Sequence, residues 1–311
     1  MADPRGPGPG EPAGRAVRTW LDLDAGRRAT LAAWLQRFDP VRFVDADAAR
    51  EACGSAAFER GANHLSVWGA DGPLGALAVV TREVAPRGLA FVTGVCVEPG
   101  ERAVFDRLLA AAIERVGDAG ARLKLAVSPE RPHLADWVAR HGFVYREDAR
   151  RLALTGPEPA LEPHPSLTRR AATPDEVETY RAVAEDCFRA APNGGSVSLD
   201  EAHERLAGRS FPDQVALYRL GDAVVGFHEL ALRRAVGNID SLGLLPRFQG
   251  RGLGAHVLRG CVDTLRAHGA QRVELLVMSS NRPAVRLYAR HGFTLRAVLA
   301  RWFERPPLRS Q

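Results

Sequence analysis

A glycine-rich turn between a strand and a helix constrains the fold of this chain more than any other segment. The turn spans residues 249–254, reads Gln-Gly-Arg-Gly-Leu-Gly, and follows a strand that ends at Pro246. Glycines at a helix start let backbone N–H groups converge on an anion, and the helix dipole favours negative charge there. Beyond the turn, apolar residues recur every three or four positions and predict an amphipathic helix that ends before Gly269. The pattern predicts an α/β layer fold with a pyrophosphate-binding turn.

The segment after this helix narrows the choice of ligand. A second strand, residues 273–278, leads to Asn281 and to a short helix that carries Tyr288 and ends at Gly292-Phe293. A dinucleotide fingerprint needs its first glycine directly after the strand and an acid at the tip of the next strand, and neither is present. The turn does not end in Gly-Lys-Ser/Thr, so a P-loop is not supported. A turn that only starts a helix remains the structural alternative.

The order of these parts resembles the GNAT (GCN5-related N-acetyltransferase) superfamily, whose members transfer an acetyl group from acetyl-CoA to an amine. Gln249, Gly252 and Gly254 match its motif Gln/Arg-x-x-Gly-x-Gly/Ala, and Asn281 and Tyr288 match its later motif. The resemblance implies a mixed twisted sheet flanked by helices, splayed between its fourth and fifth strands around the pantetheine arm. It also implies that acetyl-CoA is bound by Leu242, Gly243, Leu244, Gln249, Gly250, Arg251, Gly252, Leu253, Gly254, Ala255 and Asn281.

Acetyl transfer to an amine requires a base and an acid. An alkyl ammonium must lose a proton before it attacks a thioester, and the departing thiolate takes one up. The resemblance implies that Tyr288 is the general acid; a packed helix aromatic is the alternative. The period of two places Asn238 and Asp240 on one strand face, and only Asp240 can act as a base. Glu229 on the preceding strand is the alternative base or a ligand for the amine, and Asp240 could also be a solvated strand-edge acid.

An internal repeat indicates a duplicated domain. Ala-Arg-His-Gly-Phe occurs at residues 139–143 and again at 289–293, and residues 95–99 parallel 242–246. A period this long indicates a domain duplication rather than a solenoid. The proline-rich residues 156–166 have the composition of an extended linker between the copies. We therefore expect a disordered tail at residues 1–16, a degenerate GNAT-like domain at 17–155, the linker, and a catalytic GNAT domain at 167–311.

The first copy lacks the features that carry the chemistry. It has no glycine pair at its turn, it places Glu98 and Glu101 where they would repel phosphate, and it has Trp137-Val138 in the region of Tyr288. We expect it to be a structural partner rather than a second active site. The tandem layout is similar to that of the mycothiol synthases, although Asn238 stands where we would expect the acid of those enzymes.

Composition excludes several other classes. No apolar run reaches the ~18 residues of a membrane span, and the N-terminus lacks the apolar region of a secretory signal. The net charge is +5, Lys124 is the only lysine, and aromatic residues make up 7% of the chain. Without a basic run, this charge suits the polyanion CoA better than a nucleic acid. We predict a cytoplasmic protein without bound metal, whose cysteines are scattered, reduced thiols (Cys53, Cys96, Cys187, Cys261).

The acceptor is less constrained than the donor. The favoured acceptor is a primary amine of a small molecule, with the loop at residues 190–198 lining its site. The alternatives are acetylation of protein N-termini or lysines, and an acyl-CoA-binding module without turnover. The sequence leaves the oligomeric state open.

Overall fold

The computed structural model describes residues 16–40, 42–117, 121–157, 159–189, 191 and 196–306. They form two compact units: the first comprises the described residues up to Glu147 and those from Ala300 onward, and the second comprises Asp148–Leu299. Apart from Ala16, the predicted tail lies outside the described residues, as do positions 190 and 192–195 of the predicted acceptor loop. None of the described helices has the length and apolarity to cross a membrane.

The elements of the first half run in the order of a strand, two helices and then alternating strands and helices. They are β1 (Val17–Thr19), α1 (Ala25–Phe38), α2 (Ala46–Cys53), β2 (His64–Trp68), β3 (Pro73–Val80), α3 (Val84–Arg87), β4 (Leu89–Val97), α4 (Arg102–Val116), β5 (Arg122–Val127), α5 (Pro132–Arg140) and β6 (Val144–Leu154).

The second half repeats this order, without a counterpart of the short α3. Its elements are β7 (Leu167–Ala171), α6 (Val177–Phe188), α7 (Leu199–Ala207), β8 (Val215–Leu220), β9 (Ala223–Arg233), β10 (Val236–Leu244), α8 (Leu253–Ala267), β11 (Arg272–Met278), α9 (Arg282–Arg290) and β12 (Thr294–Arg305). Alternating residues predict strands at 223–233 and 237–245 joined by a tight turn, and a final strand near 295–303. The structure confirms these elements and the amphipathic helix to within about two residues of their ends.

The last strand of each half pairs with the sheet of the other half. Residues 149–154 of β6 pair antiparallel with β11, and residues 301–305 of β12 pair antiparallel with β5. The compact units therefore divide the chain at Asp148 and Ala300, whereas the linker predicted from composition spans residues 156–166.

The sheet of the second unit is mixed, as predicted. β7, β8, β9 and β10 are antiparallel neighbours, β10 and β11 are parallel, and β11 and β6 are antiparallel. One face packs against α8 and α9 through a core that includes Leu230, Ile239 and Leu275. The opposite face packs against α6 and α7 through a core that includes Tyr180 and Phe227. Successive residues of a strand therefore point alternately toward α8 and α9 and toward α6 and α7.

Local capping fixes where the helices on the second face begin. The Glu176 carboxylate accepts hydrogen bonds from the backbone N–H and the hydroxyl of Thr173, at 3.0 and 3.1 Å. This capping box opens a short 3-10 turn, Pro174–Glu176, that leads directly into α6. Ser198 and Glu201 form the equivalent box at the start of α7. In the sequence, a threonine followed by a proline and two acids predicts a helix start at residues 173–176, and the structure confirms it.

Candidate active site

A bulge in β10 displaces Asp240 from the regular ladder. Ile239 pairs with Leu230 on β9, and Ser241 pairs with Glu229, so Asp240 is the extra residue between two consecutive pairs. Ile239 lies in the core on the α8 side, and Leu242 also packs against that core. Asp240 and Ser241 therefore lie between two residues that face α8, and the bulge turns them toward the other face.

Two acidic side chains differ in their surroundings on this part of the sheet. The Tyr180 hydroxyl donates a hydrogen bond to Oε1 of Glu229, and Arg205 Nη1 lies 3.0 Å from the same oxygen. Asp240 is exposed as a whole residue, yet partial desolvation, and secondarily the charge of Glu229, raise the pKa of its carboxylate. The structure thus pairs Glu229 with a cation and leaves Asp240 with a carboxylate that binds a proton more readily than usual.

The sheet opens where β10 passes this bulge. The parallel ladder between β10 and β11 runs from Val236 and Arg272 to Ile239 and Leu275 and then stops. Both strands continue, to Leu244 and to Met278. The fourth and fifth strands of the second half therefore part beyond Ile239, as the resemblance implied, and Asp240 lies at the beginning of the gap.

The glycine-rich turn presents a row of backbone donors at the start of α8. Gly250 and Gly252 have φ values of +74° and +81°, which side chains of L-residues rarely allow. Among the described residues, the N–H groups from Gly250 to Gly254 have no hydrogen-bond partner. Helix starts of this kind bind phosphate groups, because the free N–H groups and the helix dipole act together.

The side chains around the turn hold it in place. Gln249 Nε2 donates to the backbone oxygen of Leu244 at 2.9 Å, which ties the turn to the end of β10. The guanidinium of Arg251 lies over the ring of Phe248 at 5.5 Å. Leu253 is buried, and the N–H of Ala255 donates to the Gly252 oxygen at 3.2 Å in the first helical turn.

Close packing explains two further glycines of the motif. A Cβ added to Gly254 would lie 3.3 Å from Cδ2 of Leu287 on α9. A Cβ added to Gly243 would lie 2.7 Å from Cβ of Cys187 on α6. Leu242 and Leu244 pack against the core on the other side of β10. The strand end thus passes close to α6, and α8 passes close to α9.

Tyr288 combines a buried ring with a hydroxyl that has no described partner. Its ring belongs to the core formed with α8 and lies 5.9 Å from the ring of Phe293. The hydroxyl makes no hydrogen bond to any described residue. Its oxygen is also not one of the fully buried side-chain atoms that lack a hydrogen-bond partner. Burial, with a smaller contribution from Cys261, raises the pKa of Tyr288 above its usual value. The side chain therefore holds its proton at neutral pH.

Asn281 has a local structural role at the start of α9. Its Oδ1 accepts a hydrogen bond from the backbone N–H of Ala284 at 3.2 Å, which is the geometry of a helix N-cap. Asn238 lies two residues before Asp240 and pairs with Glu274 on β11. In the described part of the chain, no group of three or more histidine, cysteine or acidic side chains is arranged to hold a metal ion.

Comparison with known proteins gives a consistent family. The sequence model of the Acetyltransferase (GNAT) family matches residues 177–293. A mycothiol acetyltransferase of Pseudarthrobacter chlorophenolicus is 30% identical over 236 residues, which cover 71% of each chain. A mycothiol acetyltransferase of Geodermatophilus obscurus is 31% identical over 221 residues, 66% of this chain and 71% of that one.

The chain belongs to the GNAT family of acetyltransferases. Solved structures share the fold: a GCN5-related N-acetyltransferase from Sphaerobacter thermophilus has a TM-score of 0.71 at 21% identity and covers 96% of this chain and 98% of its own. A tandem GNAT protein from the clavulanic acid biosynthesis pathway has a TM-score of 0.62 at 19% identity and covers 95% and 99%. GNAT acetyltransferases use acetyl-CoA as their acyl donor.

The structure also shows two side-chain networks near the candidate site that the sequence did not reveal. Tyr180 and Arg205 contact Glu229 from α6 and α7, although ordinary helix patterns surround both in the sequence. A second network lies beneath α8, where the Tyr218 hydroxyl lies 2.9 Å from Nδ1 of His228 and 3.1 Å from the Val257 oxygen. His228 is the sequence feature that could have revealed this network. A histidine within an apolar strand is buried here and must find hydrogen-bond partners.

Proposed function

We propose that this acetyltransferase transfers an acetyl group from acetyl-CoA to a primary amine of a small molecule. The observation that carries the proposal is the row of unpartnered N–H groups from Gly250 to Gly254, which lies at a helix start beside a gap in the sheet. The relatives named mycothiol acetyltransferases support a small-molecule acceptor.

The cofactor would be held by the turn and by the end of β10. Backbone N–H groups of residues 250–254 donate to its pyrophosphate, and Gln249 keeps the turn in position through Leu244. The edge of β10 at residues 242–244 lies along the gap and offers backbone groups to the pantetheine amides. Asn281 orders the start of α9 at the other side of the gap.

Asp240 is our candidate for the general base. It lies at the beginning of the gap, and its raised pKa makes it a better proton acceptor than an ordinary surface carboxylate. It takes the proton from the ammonium group, so that the neutral amine can attack the thioester carbonyl. Glu229, which is paired with Arg205, is better suited to orienting the amine than to accepting its proton.

Tyr288 is our candidate for the general acid. As the amine attacks, the carbon–sulfur bond breaks and the thiolate needs a proton. The hydroxyl of Tyr288 stays protonated at neutral pH and makes no bond to a described residue that would have to break first. The attacking nitrogen loses its second proton as the amide forms, and this proton returns to the phenolate through water, while Asp240 releases its proton to the solvent.

The chemistry is proposed to lie within the second half of the chain. In the first half, Val138 is fully buried at the position equivalent to Tyr288. Oε1 of Glu98 accepts a hydrogen bond from Nε1 of Trp34 at 2.9 Å, and Glu101 occupies the residue before α4. These contacts give the first half a packed turn with acidic side chains, which does not suit a pyrophosphate.

The proposal is tested by calorimetric titration of acetyl-CoA into the wild-type protein and into Gly252→Val. Val at φ +81° is strained, and its side chain covers the N–H groups, so binding should be lost. Gly100→Val is the matched control, because Gly100 has φ +89°, is equally open, and lies in the corresponding turn of the first half. It carries a similar strain and should bind normally.

Release of free CoA with a panel of acceptors then defines the reaction. Turnover of small primary amines supports the proposal. Turnover confined to peptide N-termini or lysine side chains would favour a protein acetyltransferase. Unchanged acetyl-CoA affinity in Gly252→Val would contradict the assignment of the turn.

A further inference from the structure

The sheet of the second unit carries a cluster of three arginines around one buried carboxylate. Glu274 is only 6% exposed. It contacts Nε of Arg272 at 2.7 Å, Nε of Arg296 at 3.4 Å and Nε of Arg151 at 3.6 Å. The arginine side chains are 32%, 52% and 36% exposed, respectively. We call these three residues the arginine cluster.

The arginine cluster has more positive charge than its surroundings neutralise. Three guanidinium groups face one carboxylate, and no other carboxylate among the described residues forms an ion pair with any of them. The contact given for each arginine with Glu274 is through Nε. The terminal Nη groups make no hydrogen bond to a described residue, so the part of each guanidinium that binds carboxylate or phosphate in a two-pronged manner is available.

Strand register places the arginine cluster on the face of the sheet that carries Asp240. Leu275 is buried toward α8, so its neighbours Glu274 and Leu276 point to the opposite face. Arg151 on β6 is the direct partner of Leu276. Because the last pair of the parallel ladder is Ile239 with Leu275, Asp240 and Leu276 are the next residues on the two sides of the gap.

The spacing between these groups is set by the strands. Arg151 and Asp240 lie on strands that flank β11, so their backbones are separated by at least two strand spacings, roughly 10 Å. Leu276 lies between them with a side chain that is 57% exposed. The surface therefore presents a carboxylate, an apolar patch and an excess of positive charge in that order.

We propose that the arginine cluster binds a carboxylate or phosphate group of the acceptor, so that the acceptor is an amine whose anionic group lies several bonds from the nitrogen. The proposal rests on the proposed function, since Asp240 is taken as the place of the reacting amine. Leu276 contacts the apolar segment between the two charged groups. The cluster makes the enzyme selective for a zwitterionic acceptor over a neutral amine of the same length.

The test uses matched acceptor pairs with the enzyme saturated with CoA. Calorimetry compares aminohexanoate with aminohexanamide, aminohexyl phosphate with aminohexanol, and glycine with glycinamide. We expect the long anionic compounds to bind at least about tenfold more tightly than their neutral partners, with the preference falling as salt is added. Glycine should show little preference, because it is too short to reach both ends. The larger of the two long-chain preferences distinguishes a carboxylate from a phosphate.

The variants Arg151→Met and Arg296→Met, alone and combined, locate the preference. Arg272 is retained so that Glu274 keeps its closest partner. The double variant should lose the preference for the anion while its affinity for acetyl-CoA and its thermal transition stay close to wild type. Arg290→Met is the control, because it removes the same charge from α9, which packs on the other face of the sheet. It should keep the preference.

Two outcomes overturn the proposal. One is an equal affinity for anionic and neutral partners, including no measurable binding of either at millimolar concentration. The other is a preference that survives in the double variant. Both can be told from failure of the proposed function, because acetyl-CoA binding and CoA release are measured separately. If acetyl-CoA did not bind, the same pairs titrated into the free protein would still report on the cluster.

Discussion

Removal of one oxygen atom from Tyr288 should separate chemistry from folding. Tyr288→Phe keeps the ring in the core, and the lost hydroxyl has no described hydrogen-bond partner that would be left unsatisfied. The free energy of unfolding should therefore change by less than the ~1 kcal/mol of a typical hydrogen bond. Loss of a general acid should lower kcat by about 10²–10⁴-fold, which corresponds to roughly 3–5 kcal/mol of activation free energy.

Tyr218→Phe, in the same unit, should instead lower the stability and leave the chemical step unchanged. The Tyr218 hydroxyl is buried against the Val257 oxygen and Nδ1 of His228, so its loss should cost about 1–3 kcal/mol of stability. Its chemical step should be unaffected. Both variants are measured by chemical denaturation and by single-turnover CoA release with saturating acetyl-CoA. Full single-turnover activity in Tyr288→Phe, or a loss of stability in it as large as in Tyr218→Phe, would refute the assignment of the hydroxyl as acid.

Three further predictions concern stoichiometry and pH. Titration of acetyl-CoA should give one site per chain, and a stoichiometry of two would show that the first half also binds. The acid limb of the pH profile of kcat/KM should lie above the usual aspartate pKa of ~3.9, because desolvation and Glu229 raise the pKa of Asp240. Glu229→Gln should move this limb to lower pH. A limb that does not move would exclude Asp240 as the general base. Burial lowers the pKa of His228 to about 4 in the folded protein, whereas a histidine in the unfolded chain has a pKa of ~6.5. The folded state therefore loses stability as the pH falls from the unfolded to the folded pKa, by up to ~3 kcal/mol at pH 4. His228→Asn should flatten that part of the denaturation profile, and an unchanged slope would contradict it.

Local sequence pattern predicted the elements but not all their pairings. The apolar period of α8, the glycines of the turn and the hairpin of β9 and β10 are encoded by neighbouring residues, and the structure has them where the sequence placed them. The pairing of β6 with β11 and of β12 with β5 joins residues more than a hundred positions apart. Nothing local distinguishes these partners, because the pairing depends on contacts between segments that are distant in the sequence.

The bulge at Asp240 and the contacts of Glu229 show the same limit within the site. A period of two placed Asn238 and Asp240 on one face, and this prediction holds because the register shifts only after Ile239. The shift between Ile239 and Ser241 changes which residues face α8. The switch from Ile239 to Leu242 as the next core residue was a usable signal. Arg205 offered none, because its position against Glu229 depends on how α7 packs.

Comparison of the two halves indicates that the site and the scaffold depend on different residues. The first half keeps the order of strands, the parallel pair of β4 with β5 and a core around α4. At the position of Gly243 it has Cys96, which is buried against the core formed with α1, whereas a side chain at Gly243 would collide with Cys187. Val138 fills the place of Tyr288 with an apolar side chain. A duplicated domain can therefore replace the tyrosine that we assign to catalysis and keep its fold, because an apolar side chain fills the same place in the core.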